Sequence, residues 1–180
     1  MGRKQTIDRD ALLDAAERVV LRDGAARLTI EAVATAAGVS KGGVLYAFSS
    51  KDKLIDALFT RVFAAMDAIA DAFLAKAGDN PLNRVRGHVL ASQGAYALVT
   101  ERSVALIANF MRSPEYRREA RDYYAGLLGQ LDLSTPVGRR ARLALLACEG
   151  ALMLRGFDFY QIDDPDWQSI HADISELLLG

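Results

Sequence analysis

This chain has four prolines in 180 residues, and each one follows a cluster of turn-forming residues. The clusters read Gly78-Asp79-Asn80-Pro81, Ser113-Pro114, Leu133-Ser134-Thr135-Pro136 and Asp163-Asp164-Pro165. Proline lacks an N–H and carries a φ fixed near the helical value, so it suits the first position of a helix and breaks its interior. Between these marks the apolar residues recur at helical spacing, and no stretch alternates convincingly as a strand does. The punctuation therefore predicts helices near 82–101, 103–112, 115–131, 137–158 and 166–179.

The first third of the chain is punctuated differently, by glycine and hydroxyl residues. Leu12, Ala15, Ala16, Val19 and Val20 lie on one face of a helix from about Asp8 to Asp23, and Gly24 sits where a left-handed residue stops it. Thr29 is placed to cap a helix through about Ala36, with Glu31 near the positive end of its dipole. Gly38 makes a turn, and Ser40 can cap a third helix to about Ala47. Helix, short glycine turn, helix is the layout of a helix-turn-helix. Ser49-Ser50-Lys51-Asp52 reads as a capping box, opening a long helix that carries Leu54, Leu58, Val62, Phe63, Met66, Ile69, Ala70 and Phe73. The expected fold class is all-α with about nine helices: an N-terminal three-helix helix-turn-helix domain over residues 1–50, then a helical domain over 51–180.

Composition removes several function classes. Lys and Arg number 22 against 23 Asp and Glu, which excludes a strongly basic nucleic-acid coat while leaving a local basic surface open. The single cysteine, Cys148, excludes a disulfide framework and a cysteine-built zinc finger. Leu143 to Leu154 is the greasiest stretch, and Glu149 interrupts it well short of a membrane span. No apolar segment follows Arg3 and Lys4, so no secretory signal is expected. Met1 to Thr6 fits a loose myristoylation pattern, but a basic arm is the plainer reading. A soluble, cytoplasmic protein is expected. His88 and His171 fall in different helices, and no HExxH, GxxxxGK[ST] or GxSxG motif is present, so neither enzyme chemistry nor a metal or cofactor is expected.

The third short helix carries two kinds of residue. Val44 and Phe48 can pack inward with Val33 and Val39, leaving Ser40, Lys41, Gly43 and Tyr46 outward. Gly42 and Gly43 each cost about 1 kcal/mol relative to alanine inside a helix. Such a cost fits a helix whose backbone another surface must approach closely, as a DNA groove would. The alternative is that the pair merely fits a tight turn. From Ala11 to Leu58 the chain resembles the DNA-binding domain of the TetR family of bacterial transcription regulators. The resemblance rests on Asp14-Ala15-Ala16, on Leu28-Thr29-Ile30, and above all on GVSKGGVLYAF followed by Ser50-Lys51-Asp52. It implies a DNA-reading head on a helical body that dimerises and often binds a small ligand.

By position, the resemblance implies that Thr29, Tyr46 and Lys51 hold phosphates and that Ser40, Lys41, Gly42, Gly43 and Leu45 face the major groove of double-stranded DNA. Lys41 is then the residue suited to guanine O6 and N7. Two positions depart from the family pattern. Ala47 stands where many members have histidine and Leu45 where many have tyrosine, so one common phosphate contact is expected to be missing.

One short recognition helix reads only a few base pairs, so a homodimer on a palindromic operator is expected. Leu143, Leu146, Ala147, Gly150, Ala151 and Leu154, with Trp167, Ile170, Ile174 and Leu177, are the expected dimer interface, a four-helix arrangement. The same spacing also suits a core within one chain. Met66, Gln93, Tyr96, Asn109, Met111 and Tyr123 are the expected lining of a pocket for a small apolar or amphipathic effector. The expected function is a repressor released by that effector. An activator, a protein-interaction bundle and a redox sensor acting through Cys148 are the alternatives, although the apolar neighbours of Cys148 point to a buried, inert thiol.

Overall fold

A computed structural model describes residues 8–24, 27–94 and 114–180, and every described element is helical. We number them α1 (Arg9–Asp23), α2 (Ile30–Ala37), α3 (Lys41–Ala47), α4 (Lys51–Ala77), α5 (Pro81–Gly94), α6 (Pro114–Leu128), α7 (Pro136–Gly156) and α8 (Asp164–Asp173). The last continues as a π-helical turn, Ile174–Leu178. The helix expected near 103–112 lies outside the described residues. Contacts divide the chain into two compact units, Met1–Val62 and Phe63–Gly180, so the first unit runs past residue 50 into the opening turns of α4.

Local chemistry starts and stops the helices of the first unit. Asp8 accepts hydrogen bonds from the Asp10 and Ala11 amides, Thr29 from Ala32, and Ser40 from Gly43. Each satisfies a donor that the helix itself leaves open. For α4 the cap is Ser50, which accepts from Lys53 at 3.1 Å, so the expected pairing of Ser49 with Asp52 is shifted by one residue. Gly38 ends α2 at φ 68°, ψ 28°, the left-handed region where a side chain is strained. The core of this unit is apolar among the described residues: Leu12, Ala15, Ala16 and Val19 of α1, with Leu28, Val33, Val44, Phe48 and Leu54, are all almost fully buried. Burying a side chain such as Val44 or Phe48 contributes about 1.5–3 kcal/mol. Two arginines fasten the outside. Arg61 of α4 reaches Asp14 and Glu17 of α1 at 2.7 and 2.6 Å, and Arg9 donates to the Ala47 carbonyl while lying over the Phe48 ring.

In the second unit, prolines open α5, α6 and α7, while α8 begins one residue before Pro165. Thr135 and Asp163 cap α7 and α8 through the Gly138 and Asp166 amides. Gly138 is required by close approach: a Cβ there would lie 2.0 Å from the Asp132 carbonyl oxygen. The core joins Val85 and Val89 of α5, Leu127 of α6, Ala141, Ala144, Leu145 and Cys148 of α7, and Ile174 with Leu179 at the end of the chain. A regular last helix was expected through 179. The π turn widens the spiral, so Ile174 and Leu179, five residues apart, both face the core. Arg86 then holds the Leu179 carbonyl. Among the described residues, no helix is long and apolar enough to cross a membrane.

Candidate nucleic-acid interface and helical body

The position of α3 follows from two anchors. Val44 and Phe48 are buried at 0% and 1% exposure, four residues apart, which turns the opposite face of this short helix outward. That face presents Ser40, Lys41, Gly42, Leu45 and Tyr46, while Gly43 is half-buried. Tyr46 is 87% exposed, an unusual state for a large aromatic residue. Val39, expected inside, is only half-buried. Neither Gly42 nor Gly43 has a positive φ, so no left-handed turn demands a glycine there. A Cβ built on Gly42 would meet only the Ser40 hydroxyl, at 3.9 Å. The fold would thus tolerate a larger residue at Gly42, and the tight-turn explanation fails at that position.

Thr29 and Ser40 both use a hydroxyl oxygen to accept a capping bond. Each hydroxyl keeps its proton to donate, and an anion brought to the start of α2 or α3 would also meet the positive end of a helix dipole. Lys51 is half-buried at the start of α4. One residue missed by sequence reasoning belongs with this set. Glu31, in the first turn of α2, pairs with Lys41 at 2.5 Å across the helix-turn-helix. The Lys41 ammonium holds the Glu31 carboxyl below the usual range, mainly by the hydrogen bond it donates. Only the fold could reveal this pair, because the two residues lie ten apart with a turn between them.

The second unit keeps polar groups inside. His88 of α5 lies 2.7 Å from the Tyr123 hydroxyl of α6 through Nδ1 and 2.8 Å from Glu149 of α7 through Nε2. Tyr124 packs edge-on against Tyr123 and against the His88 ring. Burial first, then the Asp67 and Glu149 carboxylates, push the Tyr123 phenol up to about 12. Burial and Glu149 push Tyr124 up as well. Of the residues expected to line a pocket, Tyr123 is in this network and Met66 is half-buried on α4. Gln93 is drawn elsewhere, its amide donating to Gln168 of α8 at 2.7 Å. Tyr96, Asn109 and Met111 lie outside the described residues.

Cys148 sits on the buried face of α7 among apolar groups, with its sulfur 3.8 Å from His171 Nε2. A histidine so close was not expected, yet burial still pushes the thiol up to about 11. His171 is itself held low by burial. Its Nδ1 donates to the Trp167 carbonyl, and Nε2 lies 3.3 Å from Ser92. Among the described residues no group of three or more His, Cys, Asp or Glu is arranged to hold a metal.

The expected interface residues divide. Leu143, Leu146, Leu154 and Leu177 are 44–69% exposed, and Ala147 is exposed beside them. Gly150 is half-buried, with open space over it. Met153, 51% exposed, joins this face and was missed. Ala151, Trp167 and Ile174 are corrections: they are 7%, 2% and 5% exposed within the single chain. Trp167 and Ala151 pack with Ile162, and Ile174 joins the main core, because α8 folds back on α5 and α7. Ile170 is half-buried between these clusters.

Comparison with known proteins agrees with this geometry. Residues 12–58 match the family model described as bacterial regulatory proteins, tetR family, and residues 82–179 match the tetracyclin repressor-like C-terminal domain. The HTH-type transcriptional regulator BetI of Burkholderia thailandensis is 30% identical over 159 residues, covering 83% of this chain and 82% of BetI. A transcriptional regulator from Rhodococcus sp. Rha1 shares the fold with a TM-score of 0.65 at 17% identity, covering 96% of both chains. The ketosteroid transcriptional regulator KstR2 of Mycobacterium tuberculosis does so with a TM-score of 0.63 at 19% identity, covering 99% of this chain and 96% of its own. An outward recognition helix with an uncovered glycine, carried on a chain that both halves of one family match, makes this protein a DNA-binding transcription regulator of the TetR family.

Proposed function

We propose that this chain acts in the cytoplasm as a homodimeric repressor, holding a palindromic operator until a small effector releases it. Residues 1–50, with Lys51 just beyond them, read the DNA, and the rest of the chain dimerises and responds to the effector. The observation that carries the reading is the outward face of α3. Gly42 is uncovered, Tyr46 is almost fully solvated, and Lys41 is aimed outward while Val44 and Phe48 anchor the opposite side. Thr29, Tyr46 and Lys51 would set register on the phosphates, and Ser40, Lys41, Gly42, Gly43 and Leu45 would meet base edges. Glu31 holds Lys41 in a solvent-exposed pair, which leaves the ammonium free to exchange partner when a guanine is presented.

The dimer reading is supported by the apolar face of α7, where Leu143, Leu146, Ala147, Gly150, Met153 and Leu154 recur at helical spacing, and by the exposed Leu177. Large apolar side chains grouped on a solvent-facing helix face mark an interaction site. Release by an effector requires that it bind the DNA-incompetent state more tightly than the competent one.

The test uses purified protein and duplexes carrying each inverted repeat found upstream of its own gene. Fluorescence anisotropy should detect one tight duplex whose affinity falls steeply with added salt. Sedimentation should give the mass of two chains bound to it. A folded protein that ignores every such duplex at low salt would overturn the reading.

A further inference from the structure

Lys41 is the first residue of α3, where a positive charge meets the positive end of the helix dipole. A lysine there does nothing for the helix it opens. Its ammonium lies 2.5 Å from Glu31 of α2, and both side chains are more than half exposed. Buried Ile30, Val33 and Ala34 fix the rotation of α2, so Glu31 is turned to solvent as Lys41 is. An ion pair this exposed adds little to stability. The pair therefore matters for what the two charges present to a ligand, not for what they hold together.

A bare ammonium near a duplex is drawn to the nearest phosphate whatever the sequence, and counterions are released when it arrives. That attraction is long-ranged and carries no sequence information. Glu31 answers the charge before any DNA is present, yet it leaves the short-range part of the chemistry open. An ammonium has three N–H donors and Glu31 needs one, so guanine O6 and N7 can both be met. A phosphate captures Lys41 only by breaking the pair, which leaves a carboxylate facing a polyanion.

We propose that Glu31 is a specificity-determining residue of the DNA-reading surface: through its pair with Lys41 it suppresses contact of that lysine with phosphate while leaving contact with guanine open. It is a positioning residue, acting through Lys41 and not by touching a base. The proposal rests on the reading of Lys41 at guanine above, and it gives a reason for an acidic side chain beside a helix that meets DNA.

The test is Glu31→Gln in the full chain, which keeps the length of the side chain and removes its charge. Anisotropy over a series of salt concentrations reads affinity for the operator duplex and for a scrambled duplex of the same length and composition. With the carboxylate gone, Lys41 should reach a phosphate on the scrambled duplex. Affinity there should rise about fivefold at low salt, and the slope of log affinity against log salt should steepen by about 0.9, the value for one further phosphate. Operator affinity should change by less than about twofold, so discrimination falls. The same substitution in a Lys41→Ala chain should steepen the slope by less than about 0.3, because no ammonium is left to reach a phosphate. Equal steepening in both backgrounds would mean that the carboxylate merely repels DNA, and it would overturn the proposal, as would an unmoved slope in Glu31→Gln alone. If Glu31→Gln melts early, Glu31→Ala serves in its place, with a better helix former at the position and the same slopes expected. The underlying reading is tested apart. A Lys41→Ala chain that still discriminates against guanine substitutions as the native chain does would remove Lys41 as the reader, and the role of Glu31 with it. Discrimination lost in Lys41→Ala beside an unmoved slope in Glu31→Gln would sink the role of Glu31 alone.

Discussion

The two compact units bury different things. In the first, every buried residue among those described is apolar, and polar groups serve as caps and surface pairs. In the second, Asn83, His88, Ser92, Arg155 and His171 are all buried, each with hydrogen-bond partners. An apolar core asks only for shape and volume, so it holds α3 in one orientation. Buried polar groups ask for partners, and one left unmade costs about 1–3 kcal/mol. A region built that way responds to whatever supplies or removes a partner. The head is thus suited to presenting a fixed surface, and the body to being re-partnered.

The sharpest way to break this contrast is to damage the apolar side of it. Phe48→Ala removes the ring that anchors α3 and carries Arg9 against it, at an expected cost of about 3–5 kcal/mol. Operator binding should vanish at temperatures where calorimetry still records a melting transition of the body. Loss of both units together would show that the apolar core serves the whole molecule and not the head alone.

Replacing lysines tests the outward surface at smaller magnitude. Lys41→Ala should reduce discrimination between the operator and single-base variants by about 1–3 kcal/mol, and Lys51→Ala should weaken all duplexes nearly equally. Competition anisotropy with a panel of variants reads both effects. The reverse pattern would reassign the two residues.

Gly42→Ala separates folding from function more finely. A Cβ fits there in ordinary contact with the Ser40 hydroxyl and φ is not positive, so alanine should leave stability unchanged or raise it by up to about 1 kcal/mol. Operator affinity should nevertheless fall about tenfold, roughly 1.4 kcal/mol, if the backbone must lie against DNA. Improved stability with unchanged binding would remove the reason for a glycine there.

Local and distant chemistry were not equally readable from the chain. Helix starts were legible because caps and prolines act within three or four residues: Thr29, Ser40, Thr135 and Pro81 behave as their types dictate. The outward set of α3 was legible for the same reason, since Val44 and Phe48 fix a face by spacing alone. The interior of the body was not. Helix α7 is apolar around most of its circumference, with Leu143, Leu146 and Leu154 outward and Ala144, Leu145 and Cys148 inward. Spacing cannot tell which of two greasy faces belongs to the chain's own core, so Trp167 and Ile174 were placed on the wrong side. His88 with Glu149, and Cys148 with His171, are brought together over 61 and 23 residues by packing that no local pattern announces.

The smallest expected effect tests the buried polar side of the contrast through pH. Burial, together with the positive charge of Arg155, holds His171 below its ordinary value, against the raising effect of the hydrogen bond that its Nδ1–H donates to the Trp167 carbonyl. The unfolded chain therefore takes up a proton near the ordinary histidine value while the folded chain still refuses it. Stability is full above that value and falls as the pH drops through it, levelling once the folded imidazole also protonates. One such group changes stability by at most about 1.4 kcal/mol per pH unit. The pairs made by Asp79 and Glu31, whose carboxyls are held low, are lost only in the more acidic carboxylate range, so the two windows separate. Denaturant midpoints taken at pH 7.5 and 5.5 should fall for the native chain. They should fall less for His171→Gln, which is less stable at both values because a fully buried, hydrogen-bonded ring is lost. An equal drop in both proteins would mean that the imidazole folds with its proton, and that the interior of the body is wetter than its burial implies.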